Sequence, residues 1–300
     1  MDKKFFEYVP EETSGLGLKA VIKICGVGSG GVNAVDSMIE NGVDGVDYVV
    51  ANTDAQDLLK SKCGIKLVLG MNLTRGLGAG NDPTKGREAA LEDKSKITEF
   101  LKGADMVFLA TSLGGGTGTG STPVIAEICK SLGILTVAVV TLPFSDEGQR
   151  KMDTAQEGLE KMKTFVDAYV VIPNDKLNIF EDENITLKAG LKMIDRVLCD
   201  SVTGIVELIT RPGHINRDIN DVKTVLSEKG QCIMGIGEAA GEGRALRAVE
   251  AALANPLLKG TPIHGAEKVL VNIVGRDVTL KERNIVMNFI REIADKNAQT

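Results

Sequence analysis

The sequence runs to 300 residues, 43% apolar and 25% charged, a length and balance that suit two domain-sized cores and exclude disordered and fibrous classes. Thirty-five basic against 41 acidic side chains leave a net charge of −6, without the concentrated positive face on which nucleic-acid binding by counterion release depends. Five scattered cysteines without a C-x-x-C pair read as reduced thiols rather than a zinc site, and no run reaches the ~18 apolar residues of a membrane span, so the reading is a cytoplasmic chain without membrane insertion.

Residues 1–18 are a polar leader. "AVIKIC" (20–25) is a continuous β-rich run that stops at a glycine cluster and passes into the helically spaced "NAVDSMIE". The same grammar of short apolar run and amphipathic segment recurs at "VDYVVANTD" (46–54), "IKLVL" (65–69), "DMVFLATS" (105–112), "ILTVAVVT" (134–141) and "DAYVVIPND" (167–175). Runs apolar on both faces and alternating with helices predict a parallel sheet covered on both sides, a Rossmann-like α/β domain over 19–186. From Leu187 the residues Leu191, Ile194, Leu198, Val202, Ile205 and Ile209 step by three or four, which predicts one long helix over 187–210 that "RPGHIN" ends. Beyond it "QCIMGIG" (231–237) and "EKVLVNIVG" (267–275) read as strands. Helices are expected near 245–253 and 280–295, giving a smaller α/β C-terminal domain over 211–300.

Two of the turns are chemically suggestive. Gly26-Val27-Gly28-Ser29-Gly30-Gly31 follows a strand, opens a helix and satisfies G-x-G-x-x-G. Glycines there let backbone N–H groups approach an anion beside a helix N-terminus, although a tight strand-to-helix turn would use glycine too. "GGGTGTG" (114–120) repeats the arrangement, with Pro123 expected in the first turn of its helix. A dinucleotide site fits poorly, because the acid at the right distance, Asp47, precedes its strand's apolar run. The missing Lys excludes a Walker loop. A phosphate cradle of neutral backbone amides from adjacent loops remains.

"GGGTGTG" after such a strand, with "TRGLGAG" (74–80), "GADMVF" (103–108), "PVIAEI" (123–128), "VIPND" (171–175), "PGHIN" (212–216) and "VLVNI" (269–273), resembles the tubulin and FtsZ family of GTPases, on the FtsZ side. The resemblance covers roughly residues 20–277. It implies GTP and GDP as ligands, with Mg2+ held mainly through phosphates and water. Gly28, Ser29, Gly30, Gly31, Val32 and Asn33, with Gly115, Gly116, Thr117 and Gly118, would hold the phosphates, and Ala79 and Gly80 would sense the γ-phosphate. Ser29 stands where the family has Gly and needs a negative φ to be tolerated. Asn81 and Asp82 depart from the family's small residue and Asn. Glu147 resembles the ribose-contacting acid. Lys151 stands where the family has Arg and loses the planar fork. Asn174 and Asp195 match the guanine donor and acceptor, and Leu191 replaces a stacking ring.

Asn216, Asp218 and Asp221, in a loop over 213–221, match the catalytic N-x-D-[FY]-x-D with Ile219 for the aromatic. Asp218 or Asp221 could equally cap the helix that follows. In the family this loop completes the site of the next subunit, so the resemblance implies a head-to-tail homopolymer acting at the division site. Two further strands and an adaptor-docking tail are expected after the last helix and are not in this sequence, so that the second domain reads as truncated. A relative that binds GTP without turnover is the alternative.

Overall fold

The computed structural model describes residues 20–179, 186–210, 219–227, 230–254, 266 and 268–294. Strands β1 (Ile22–Val27), β2 (Asp47–Asn52), β3 (Lys66–Val68), β4 (Met106–Ser112), β5 (Leu135–Leu142), β6 (Ala168–Pro173) and β7 (Gly230–Gln231) form one sheet in the order β3-β2-β1-β4-β5-β6-β7. Every pairing is parallel. All eight residues of β5 are buried and β4 is buried up to its last residue, as central strands with helices on both faces must be.

Strand alternation divides the apolar side chains between two cores. Ile22 and Ile24, Met106 and Phe108, and Val137 and Val139 face one side. There they meet α1 (Gly28–Glu40) through Val32 and Val35, and α8 (Leu187–Thr210) through Ile194, Leu198 and Val202. Cys25, Val107, Leu109 and Ala138 face the other. Their neighbours are α4 (Pro83–Glu92), α5 (Lys94–Leu101), α6 (Thr117–Ser131) and α7 (Gln149–Lys163). The remaining helices are α2 (Ala55–Lys60), α3 (Met71–Thr74), α9 (Ile219–Leu226), α10 (Arg244–Leu253) and α11 (Leu280–Ile293). No described helix is long and apolar enough to cross a membrane.

The direction of α8 sets up the functional geometry. Its beginning packs on the turn Asn174–Ile179 that follows β6, at the carboxyl edge of the sheet. A methyl of Thr210, its last residue, lies 3.3 Å from where a Cβ on Gly45 would stand, just ahead of β2. The helix therefore runs from one edge of the sheet to the other, and 24 residues at ~1.5 Å each span roughly 36 Å. Val222 and Leu226 then dock α9 into the α8 side of the core. β7 pairs only with the first residues of β6, Ala168 and Tyr169, so the chain is still at the amino edge there.

Three sequence expectations are corrected. Residues 231–237 were expected as a strand, but the ladder stops at Gln231; 267–275 were also expected as a strand, and 269–275 form none among the described residues. An apolar run becomes a strand only when a neighbour takes up its N–H and C=O groups; beside β6 this lasts only to Cys232, whose N–H donates to Tyr169 O at 2.8 Å. Pro123 was expected in the first turn of its helix and is instead the seventh residue of α6. The helix starts early because Gly118 and Gly120 let it approach other backbone closely: a Cβ at Gly120 would lie 2.0 Å from Pro83 O, and one at Gly118 would lie 2.5 Å from Ser112 O. The polar leader lies outside the described residues.

Candidate functional site

In a strand order that leaves β1 toward β2 on one side and β4 on the other, the crevice between β1 and β4 is where an open α/β sheet takes a ligand. Both glycine clusters open there. Gly28 has φ of 69°, and a Cβ on it would stand 2.9 Å from Gly118 N, so the two loops touch backbone to backbone. A Cβ on Gly31 would lie 2.3 Å from Ala110 O. Polar side chains tie the loops together: Thr53 Oγ1 and Thr117 Oγ1 lie 2.6 Å apart, Thr111 Oγ1 donates to Val27 O at 2.9 Å, and Thr119 Oγ1 accepts from Gly114 N at 2.8 Å.

Neither helix that starts in this crevice has a side-chain cap. Val27 precedes α1, Gly116 precedes α6, and neither first turn carries an acid. By contrast Asp54, Asp82 and Thr279 cap α2, α4 and α11. Two adjacent helix N-termini with open N–H groups concentrate partial positive charge on one spot and suit a polyphosphate. Arg75 and Asn81 alone among the described non-glycine residues have positive φ, so Ser29 has the negative φ its side chain requires. Ser29 and Asn33 are exposed in the first two turns of α1, whereas the side chain of Val32 is in the core and leaves only its backbone for a ligand.

The glycines of the second loop divide their work. A Cβ at Gly116 would meet Ala79 Cβ at 2.8 Å and Asp82 N at 2.9 Å, so Gly116 seats the loop of Ala79, Gly80, Asn81 and Asp82 against the cradle. Gly86 plays the reciprocal part, with Gly116 O 2.3 Å from its would-be Cβ. Gly115 faces open space, its nearest neighbour being Asn81 Oδ1 at 4.0 Å.

β5 and β6 end beside this crevice. Beyond β5, Glu147 accepts from Phe144 N at 2.9 Å and pairs with Lys151. Burial works against its charge, but the ammonium and the N–H outweigh it and hold the carboxyl below its usual range. The stem of Lys151 packs on the second glycine loop, Cγ lying 3.0 Å from a Cβ placed on Gly114. Beyond β6, Asn174 is buried and its Oδ1 has no hydrogen-bond partner among the described residues. A buried amide whose hydrogen bonding is incomplete is costly and marks a place where a ligand completes it, as acceptor or donor, because a half-turn of the amide exchanges its oxygen and its NH2. Asp195, the ninth residue of α8, is half-buried, and burial pushes its carboxyl up to about 6.

The side chain of Leu191, and Asn216 and Asp218 entirely, lie outside the described residues, as does the side chain of Asp221. The backbone of Asp221 does bear on the capping alternative: α9 starts at Ile219, so Asp221 is the third residue of the helix rather than its cap. Asp47, the acid considered for a dinucleotide ribose, opens β2 at the amino edge, opposite the glycine loops. The packing duties of Gly116, Gly118 and Gly120 and the orphaned oxygen of Asn174 had no signature in the sequence.

A parallel sheet with two glycine-rich, uncapped helix starts at its switch point defines a mononucleotide-binding α/β protein. Residues 21–181 match the model of the Tubulin/FtsZ family GTPase domain, and residues 230–300 that of the FtsZ family C-terminal domain. Among curated relatives, the cell division protein FtsZ of Pseudomonas aeruginosa is 50% identical over 93% of this chain and 71% of its own length. FtsZ 1 of Pyrococcus woesei is 48% identical over 94% and 76%. Among solved structures, an empty FtsZ dimer of M. jannaschii aligns with TM-score 0.87 at 47% identity, covering 93% of this chain and 81% of that one. CetZ1 of Haloferax volcanii, at 23% identity and TM-score 0.80, shares the fold. The chain belongs to the tubulin/FtsZ family of GTPases, on its FtsZ branch.

Proposed function

We propose that this chain binds GTP at the carboxyl edge of its sheet, hydrolyses it with acids supplied by the next copy, and assembles head to tail into filaments that serve cell division in the cytoplasm. The backbone N–H groups of residues 28–33 and 115–118 hold the phosphates, Ala79 and Gly80 lie over the γ-phosphate, and Glu147 takes the ribose. Asn174 and Asp195 read the guanine, Asn174 donating to its carbonyl oxygen and Asp195 accepting from its ring N–H and amine.

The observation that carries this reading is the separation of the two halves of the site. The nucleotide loops are at the carboxyl edge, while α9, with Asp221 in its first turn and Asp218 just before it, follows the far end of a helix roughly 36 Å long. Residues carried at the start of α9 are therefore remote from the nucleotide loops of their own chain. A neighbour stacked on the nucleotide edge brings them to it, and because that contact joins unlike surfaces and does not close, repetition yields a filament. Exposed Met71 and Leu73 on α3, and Leu77 in the turn after it, support a contact surface there.

In the shared site Asn216 orients a water, and Asp218 or Asp221 accepts its proton as the oxygen attacks the γ-phosphorus. The bond to the β-phosphate oxygen breaks, and GDP and phosphate leave. The uncapped starts of α1 and α6 stabilise charge on the phosphate oxygens throughout. Mg2+ would be carried mainly by the phosphates and water, where it would neutralise phosphate charge. Denaturing the purified protein and chromatographing the released base tests the ligand, with guanine nucleotide expected. Phosphate release from GTP tests turnover, and binding without release at any protein concentration would overturn the enzymatic reading.

A further inference from the structure

The last rung between β5 and β6 is Leu142↔Pro173. Beyond it the two chains part, one into the turn that carries Glu147 and the other into the turn that carries Asn174. One side chain bridges the gap. Asp175 Oδ1 accepts from Ser145 N at 3.0 Å and from Ser145 Oγ at 3.2 Å. Ser145 is the first residue of the 3-10 turn that ends at Glu147, so the bridge fixes the start of the turn whose end presents the acid. Glu147 is itself folded back on Phe144 N, one residue before Ser145. The chain Asn174-Asp175, Ser145, Phe144, Glu147 is therefore continuous through hydrogen bonds and neighbouring peptides. Asp175 also lies close enough for its charge to act on Glu147, opposing the pull of Lys151.

We infer that Asp175 is a positioning residue that fastens the ribose-contacting turn to the base-contacting one, so that Glu147 meets the sugar hydroxyls only while Asp175 holds Ser145. The inference rests on the reading of Glu147 and Asn174 given above. A pocket that recognises base and sugar together needs a fixed spacing between the two groups, and small errors of placement are expensive in such sites. The sheet ladder cannot supply that spacing past Pro173, whose ring nitrogen has no proton to donate. The charge-assisted acceptor of Asp175 takes its place.

The test compares GTP with 2′,3′-dideoxy-GTP, which lacks the ribose hydroxyls, by calorimetric titration of the whole chain. The wild type should prefer GTP by about tenfold or more, the worth of a hydrogen bond to a charged group. Asp175→Ala should reduce that preference to within about threefold. Asp175→Asn keeps a carbonyl oxygen for Ser145 and should retain the preference. Ser145→Pro, which deletes both donors and follows a Phe144 already at φ −65° and ψ 150°, the backbone that a residue before proline favours, should lose it. That variant keeps the proposal testable if Asp175→Ala does not fold. In the Glu147→Ala background, replacing Asp175 should cost no further preference. If Asp175→Ala and Ser145→Pro weaken both nucleotides equally and keep the wild-type preference, Asp175 is only structural and the latch is wrong. If the wild type itself shows no preference, the assignment of Glu147 to the ribose fails, and the latch with it.

Discussion

The two edges of the sheet are finished in opposite ways. At the amino edge the protein satisfies its own backbone: Asp105 Oδ2 accepts from Val21 N at 2.8 Å, and Asp167 Oδ2 accepts from Thr136 N at 2.8 Å. At the carboxyl edge it leaves polar groups open: N–H donors at the uncapped helix starts after Val27 and Gly116, and an acceptor at the unpaired Asn174 Oδ1. Stability is completed on one edge by acids of the chain itself. On the other, the starts of α1 and α6 and the Asn174 amide are left for a nucleotide to complete, its phosphates meeting the N–H groups and its base the amide, and a folded chain tolerates such open groups where function requires them.

The contrast can be broken at its strongest point first. Gly116→Val should abolish GTP binding, because its side chain collides with Ala79 and with the backbone of Asp82 and unseats the loop from the cradle. Gly115→Ala sharpens the same point. Its Cβ has open space, so the protein should keep its thermal midpoint while GTP affinity falls by tenfold or more as the methyl occupies the phosphate approach. A Gly115→Ala protein that binds GTP normally would take Gly115 out of the cradle.

A smaller effect is expected at Asp195. Asp195→Asn should weaken GTP binding by about 1–3 kcal/mol, since the two guanine donors lose their charged acceptor. In the nucleotide-free protein the sign reverses. A carboxyl whose folded value is raised to about 6 from an ordinary value near 4 costs stability when charged. That cost is fully present above pH 6 and disappears as the pH falls through 6 toward 4. The Asn variant should therefore be more stable at pH 7.5, by about 1 kcal/mol after solvent screening, and no more stable at pH 4. Wild-type affinity for GTP should decline below pH 6. Equal melting curves for the two proteins at pH 7.5 would remove the burial argument.

The smallest effect belongs to the amino edge. Asp105→Ala should cost about 0.5–1 kcal/mol of stability by giving Val21 N over to water, with GTP affinity unchanged. A variant that binds GTP more weakly in proportion would show that the edges are not independent.

What could be read in the sequence follows the same division. Strands apolar on both faces, and a helix stepping through Ile194, Leu198 and Val202, carry their burial in their periodicity, and Ile194, Leu198 and Val202 are indeed buried. Glycine clusters announce close approach but not to what. Gly115 faces open space, while Gly116, Gly118 and Gly120 face protein backbone, a distinction fixed only when α4 and the end of β4 arrive from elsewhere in the chain. The bridge of Asp175 to Ser145 spans 30 residues and has no local pattern. The runs at 231–237 and 267–275 mislead because alternation records a face to bury, whereas a strand also needs a partner that continues the ladder along it.

The shared active site is tested most directly by measuring GTP turnover per chain across a wide dilution series, for the wild type and for Asp221→Ala. Turnover per wild-type chain should rise steeply with concentration, because every site needs a neighbour. Asp221→Ala should bind GTP with wild-type affinity, fail to hydrolyse it at any concentration, and lower the activity of admixed wild type by more than its mole fraction. Turnover per chain that stays constant on dilution, with Asp221→Ala fully active, would contradict a site divided between two copies.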